Sequence, residues 1–262
     1  MKFGMPNLVE CKTLRDCADL AKRQGLDFIE INMSFPEFTP TRLDIESARE
    51  IAKEYGLFYT VHVDEALNPF DFNKSVSDCY FGIMRDTIRT AKKIGAKILN
   101  LHLQKGIYVT LPERVVLLTD VYKEEYLSMV RSFIAMCEKE ISDSEIRISI
   151  ENVDSNTFSS SQLTALELFL KSDAFCLTLD TGHECKLKYK DSHVYEKYPD
   201  KLLHMHLHDC REGSPHLPLG TGEVDINKKL AQHKGSTTLI EVKTVEGLIE
   251  SVKYLKERGI KQ

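Results

Sequence analysis

Eight times along 262 residues, a short strand-like segment is followed by a segment with helical spacing. The strand-like segments fall at residues 2–5, 28–32, 58–63, 98–103, 146–151, 176–180, 203–207 and 238–242. Several are nearly continuous apolar runs, the pattern of parallel strands covered on both faces. The intervening helices carry their own punctuation. Leu14, Cys17, Ala18 and Ala21 recur at helical spacing and stop at Gly25, and Asp44 precedes IESAREIAKEY and Gly56. Further helical patterns cover 77–94, 122–140, 161–170, a short stretch near Val194, 226–232 and 246–258. No linker rich in Pro, Gly or Ser divides the chain, and no internal repeat is visible. Such an alternation, at this length, is what a (β/α)8 barrel requires. An open doubly wound sheet has fewer strands and often a glycine-rich first turn, whereas the first turn here is GMPN. The expectation is an α/β chain forming a single-domain (β/α)8 TIM barrel over residues 1–262.

Composition narrows the class of protein. With 35 basic against 40 acidic residues, the formal charge of −5 gives no reason to expect a nucleic-acid or membrane surface. The seven cysteines are odd in number, widely spaced and free of any CxxC pair, which reads as reduced thiols rather than a disulfide framework. The opening MKFGMPNLVE lacks the apolar core of a signal peptide, and no apolar run reaches the ~18 to 20 residues of a membrane span. The expected location is cytoplasmic. Barrels of this kind are often homo-oligomers, but no pattern marks an interface.

In a barrel, chemistry gathers at the C-terminal ends of the strands. Six consecutive strands end in ionisable groups: His62, His102, Glu151, Asp180 with His183 just beyond, the ladder His204-Met205-His206-Leu207-His208, and Glu241. Alternate side chains of a strand share a face, so the ladder aims its imidazoles into one space. A single histidine at a strand end is usually a hydrogen-bonded core residue, and two carboxylates can be ordinary ion pairs. Six such groups around one ring are different, because carboxylates converging in a barrel mouth repel one another and are expensive to desolvate. A divalent cation relieves that repulsion, and mixed carboxylate and imidazole donors suit Mn, Co, Zn or Mg.

The segments VHVDEALNPF, LNLHL, ISIEN, LTLDTGHE, HMHLHD, HLPLGTGEVD and LIEV occur in this order along the chain. Together they resemble the xylose-isomerase-like barrel superfamily, which includes endonuclease IV, keto-sugar 3-epimerases, inositol-catabolism enzymes and a dehydroshikimate dehydratase. The resemblance implies a single-metal site of Glu151, Asp180, His206 and Glu241, loaded with one Mn, Co or Zn. It also implies that Glu151 and Glu241 are the catalytic acid/base pair and that His183 binds substrate beside the metal. The fuller endonuclease IV constellation adds His62, His102, His183 and His216. That constellation wants an aspartate where this chain has Ser214, which argues against a three-zinc cluster. His208 is expected to touch substrate, and His204 to pack deeper in the barrel.

The activity this implies is a metal-dependent sugar (or sugar-like polyol or keto acid) isomerase or epimerase working through an enediolate. A dehydratase could start from the same proton removal. The competing class is zinc-dependent phosphodiester hydrolysis at abasic DNA, which needs several metals and loops that grip a duplex. The acidic balance and Ser214 count against it, so the expected partner is a small carbohydrate-like molecule. A non-catalytic sensing barrel would not need the acid/base pair. The 104–120 segment reads as a lid or substrate loop. Gly220-Thr221-Gly222 reads as a tight turn, and His193 and His233 as surface residues.

Overall fold

A computed structural model describes residues 1–233 and 237–261. Eight parallel strands form a closed barrel in chain order: β1 (Lys2–Pro6), β2 (Phe28–Asn32), β3 (Phe58–His62), β4 (Ile98–His102), β5 (Arg147–Glu151), β6 (Phe175–Asp180), β7 (Leu202–Leu207) and β8 (Thr237–Ile240). β1 closes the ring against β8, with Lys2 opposite Thr237. The chain is therefore a (β/α)8 TIM barrel.

Local chemistry accounts for the helices. Thr13 caps Leu14–Gln24 through a reciprocal capping box with Asp16, and Gly25 ends the helix in the left-handed conformation at φ 67°. Ser159 and Gln162 repeat the box at Ser160–Leu170. The helices bury one face each, and Leu14, Cys17, Ala18 and Ala21 all point inward as their spacing predicts.

Several strands read as nearly continuous apolar runs, and the structure divides their residues by face. Outward residues such as Ile29, Ile31, Leu99, Leu101, Ile148 and Ile150 are buried under the helices. The alternate positions face the lumen and are polar: Glu30, Thr60, Asn100, Ser149, Thr178 and His204, each at most 1% exposed. They satisfy one another, as in the 2.6 Å contact between the Ser149 and Thr178 hydroxyls. At the N-terminal end Phe28 fills the lumen so tightly that a Cβ on Gly4 would lie 2.3 Å from its ring.

Three further features lie outside the barrel wall. The 104–120 segment contains a β-hairpin, Tyr108–Thr110 with Val115–Leu117, followed by the short helix Leu118–Val121. Its base is pinned by Gln162, whose Nε2 donates to the Leu103 and Gln104 carbonyls. After β6 the chain makes two six-residue helices, Thr181–Lys186 and Ser192–Lys197, instead of one. A second hairpin, Asp209–Arg211 with Ser214–Leu217, follows β7. No helix among the described residues is long and apolar enough to cross a membrane.

His193 is exposed as expected, but His233 is not: it is 3% exposed and its Nε2 lies 3.1 Å from the Thr237 carbonyl. Burial pushes its imidazole down to about 4, outweighing that backbone bond, which favours the charged form. The folded value lies below the unfolded one, so the unfolded chain takes up a proton first as pH falls. Stability should therefore decline between about pH 6.5 and pH 4, by up to about 3 kcal/mol from this residue. Urea unfolding of His233→Gln across that range should show a shallower decline, and a slope matching wild type would contradict this account.

Candidate metal centre

The barrel mouth brings together side chains from four neighbouring strands. Glu151 ends β5, Asp180 ends β6, His206 lies in β7, and Glu241 follows β8 directly. Strand register sets their level, because Asp180 pairs with His206 and Glu151 with Thr178. One donor atom from each of the four lies within 4.8 Å of all the others. His206 Nδ1 is 3.0 Å from both Glu151 Oε1 and Glu241 Oε2, and 4.0 Å from Asp180 Oδ2.

None of those close approaches lies along an N–H bond. Glu151 Oε1, Glu241 Oε2 and both His206 nitrogens are buried without a hydrogen-bond partner among the described residues. Three carboxylates and an imidazole whose donor atoms converge, with those of Glu151, Glu241 and His206 unsatisfied, fit a divalent cation. Without one, the site leans on imidazolium charge. Burial pushes Glu151 up, but His206 and His102 outweigh it and hold the carboxyl well below the usual range. Burial likewise opposes the charged form of His206, yet Glu151, Glu30 and Glu241 hold its imidazole well above the ordinary value.

The second oxygen of each glutamate has its own partners. Glu151 Oε2 accepts from Asn100 Nδ2 and lies 3.0 Å from His102 Nε2 and 3.6 Å from His62 Nε2. Glu241 Oε1 pairs with Lys243 Nζ at 2.7 Å. Neither Asn100 nor Lys243 is marked in the sequence: a lysine in a strand-end loop looks like any solvated lysine.

Several histidines are oriented through Nδ1. His62 Nδ1 lies 2.8 Å from the Val63 carbonyl, His183 Nδ1 3.1 Å from that of Asn152, and His216 Nδ1 3.3 Å from that of Glu241. Each ring thereby leaves Nε2 for other partners. His183 sits in the first turn of Thr181–Lys186, whose N-cap is Asp180: the Asp180 carboxylate accepts the His183 N–H at 2.7 Å. His216 is held at φ 61° and stacks on His208 with ring centroids 4.2 Å apart. Burial pushes His216 down to about 4 although Glu241 pulls the other way, so it is neutral at pH 7.

His208 does not stand where a substrate contact was expected. It is fully buried, its Nδ1 accepts the His216 N–H at 2.7 Å, and its Nε2 lies 2.9 Å from Asp180 Oδ2. The ring lies against Asp180, and with His183 and His216 it forms a further group of possible metal ligands. His204 lies one layer deeper, as expected, beside Glu30 and Thr237.

Two adjoining cavities open at Glu241, the one of the four converging residues that lines them. One, of about 280 Å³, is lined by His102, Gln104, Asp154, His183 and His216; the other, of about 260 Å³, by Leu8, Val9, Asn32 and Phe35. His62, Glu65, Glu241 and Lys243 line both. A larger cavity of about 370 Å³ lies away from these residues, between the short helices after β6 and Ile226–Gln232. The glycine-rich turn is not a phosphate cradle. The N–H groups of Gly220 and Gly222 donate to Asp209 Oδ2, those of Cys210 and Val224 to Oδ1.

Known structures share this architecture. A D-tagatose 3-epimerase-like protein superposes with TM-score 0.79 at 22% identity, covering 99% of this chain and 98% of its own. The 3-keto-D-glucoside 4-epimerase of E. coli gives 0.76 at 14% identity, covering 98% and 99%. An IolI protein with a bound zinc atom gives 0.73 at 16% identity, covering 99% and 98%. No curated protein sequence matches the chain. The family described as xylose isomerase-like TIM barrel matches residues 18–258, and the chain belongs to that family.

Proposed function

We propose that this protein is a metal-dependent isomerase or epimerase of a small sugar or sugar-like hydroxy-ketone, with Glu151 and Glu241 as its acid/base pair. The observation that carries the reading is the convergence of unsatisfied donor atoms from Glu151, His206 and Glu241 beside Asp180, with Glu241 also lining a cavity of small-molecule size. The similar structures include two named as epimerases or epimerase-like and one with bound zinc, which is consistent with it.

Glu151, Asp180, His206 and Glu241 would hold one Mn, Co or Zn ion. Such an ion supplies Lewis acidity toward the carbonyl and hydroxyl oxygens of an α-hydroxy ketone, which acidifies the adjacent C–H. Glu151 and Glu241 enter from different sides of the barrel mouth, on β5 and just after β8. One removes the proton at a carboxylate oxygen, and its partner or the same group returns it. Lys243 holds the outer oxygen of Glu241, which leaves Oε2 facing inward. His183, tethered through Nδ1, offers Nε2 to a substrate hydroxyl.

Elemental analysis of wild type beside His206→Ala tests the reading. About one Mn, Co or Zn per chain is expected, lost in the variant, followed by C–H exchange with D2O on a ketose panel. Metal retained at wild-type level in His206→Ala would remove the proposed site.

One observation favours a second reading. His62, His102 and Glu151 form a further group of possible ligands that shares Glu151 with the first. Two or three zincs per chain would therefore move an endonuclease IV-like phosphodiesterase forward, with abasic-site DNA as the next substrate. Against it, Ser214 is exposed on its hairpin and brings no carboxylate to the third position.

A further inference from the structure

We propose that Glu30 is a positioning residue for His206, and that it brings a buried negative charge to the metal centre through that imidazole. The inference rests on the metal-centre reading above and concerns the layer beneath it. Glu30 lies in β2, 1% exposed, and no lysine or arginine among the described residues forms an ion pair with it. An isolated carboxylate at that depth is expensive unless donors surround it.

The groups around it come from two strands, β3 and β7. Thr60 Oγ1 donates to Glu30 Oε2 at 2.7 Å, and His204 Nε2 lies 3.2 Å from the same oxygen. His206 Nε2 lies 3.0 Å from Oε1. His206 therefore stands between two sets of acids: Glu30 at Nε2, and Glu151, Glu241 and Asp180 around Nδ1. A neutral imidazole carries one proton. If Nδ1 is the ligating atom, the proton resides on Nε2, and the carboxylate in reach of it is Glu30.

As the ring stands, the N–H axis passes to one side of Oε1, so this contact is not yet an in-line hydrogen bond. It is nevertheless the arrangement by which a carboxylate behind a histidine fixes its tautomer and raises its basicity as a ligand. His204 is anchored on its other side by Thr237 Oγ1 at 2.7 Å, which keeps the carboxylate from swinging away. A purely structural role, filling the lumen with a satisfied polar cluster, would leave metal affinity untouched. That difference is the basis of the test.

The experiment measures Co2+ affinity by chelator competition, with the visible Co2+ spectrum, for wild type, Glu30→Gln, Thr60→Val and His206→Ala. Glu30→Gln should bind Co2+ about 10- to 100-fold more weakly, with an altered spectrum and an unchanged circular dichroism profile. Thr60→Val, which removes one donor to the carboxylate, should move affinity in the same direction by less. If Glu30→Gln binds within twofold of wild type while His206→Ala loses the ion, the positioning role is wrong and the metal centre stands. If His206→Ala also binds normally, both fall. Should Glu30→Gln fail to fold, unchanged Co2+ affinity in Thr60→Val would overturn the proposal.

Discussion

Glu151→Gln and Glu241→Gln should each lower turnover on an identified substrate by about 10²- to 10⁴-fold, measured with the metal supplied in excess. The substitution keeps the side chain's size and replaces one oxygen by NH2, so it removes basicity with little change in volume. Both losses should be accompanied by weaker metal binding. Glu151 is fully buried, and its outer oxygen is engaged by Asn100 and His102. A carboxamide there must either turn its NH2 toward the Asn100 amide, donor against donor, or direct it at the metal. Glu151→Gln should therefore weaken metal binding as well as turnover. Glu241 is 8% exposed, and Lys243 holds its outer oxygen. Its carboxamide oxygen can still accept from Lys243, which again leaves an NH2 pointing inward. Near-normal turnover in either metal-loaded variant would refute the acid/base assignment.

Asp209→Asn should destabilise the protein by roughly 3–5 kcal/mol, through a residue that is neither one of the four proposed metal ligands nor in the lining of the two cavities at Glu241. The Asp209 carboxylate is fully buried and accepts the backbone N–H groups of Cys210, Gly220, Gly222 and Val224 at 2.8–3.0 Å. A carboxamide offers an NH2 to two of those donors and strands them without an acceptor. Relief by movement is blocked, since a Cβ at Gly222 would already lie 2.3 Å from Asp209 Oδ1. The same knot fixes both ends of the segment that carries His216, so residual activity should fall along with stability. Denaturant unfolding gives the value, and a loss below about 1 kcal/mol would mean that the loop is held elsewhere.

The barrel and the ring of ionisable residues at its strand ends were legible because both follow from chain-local rules. Strand and helix periodicity, with helix caps at residues such as Thr13 and Gly25, set the element order. Strand-end position marked a ring of ionisable residues, and the family resemblance picked Glu151, Asp180, His206 and Glu241 from it; donor atoms of those four lie close together at the barrel mouth. The apolar runs left one point open: the lumen is polar, because the helices take up the apolar face and leave alternate residues to bond one another. His233 misled, since a histidine between polar neighbours gives no sign of being covered.

What sequence alone determined is thus the set of chemical groups and the rim on which they stand. Tertiary structure decided their partners. His208 shares its strand face with His206, yet closure of the barrel puts its Nε2 against Asp180 rather than at the cavity. Glu30 meets His206, Asp209 meets Gly222, and Lys243 meets Glu241 only after the chain has folded. The physical reason is that alternation along a strand dictates which face a side chain takes. The atom it meets across that face depends on register, strand tilt and loop path, which arise only when all eight strands close.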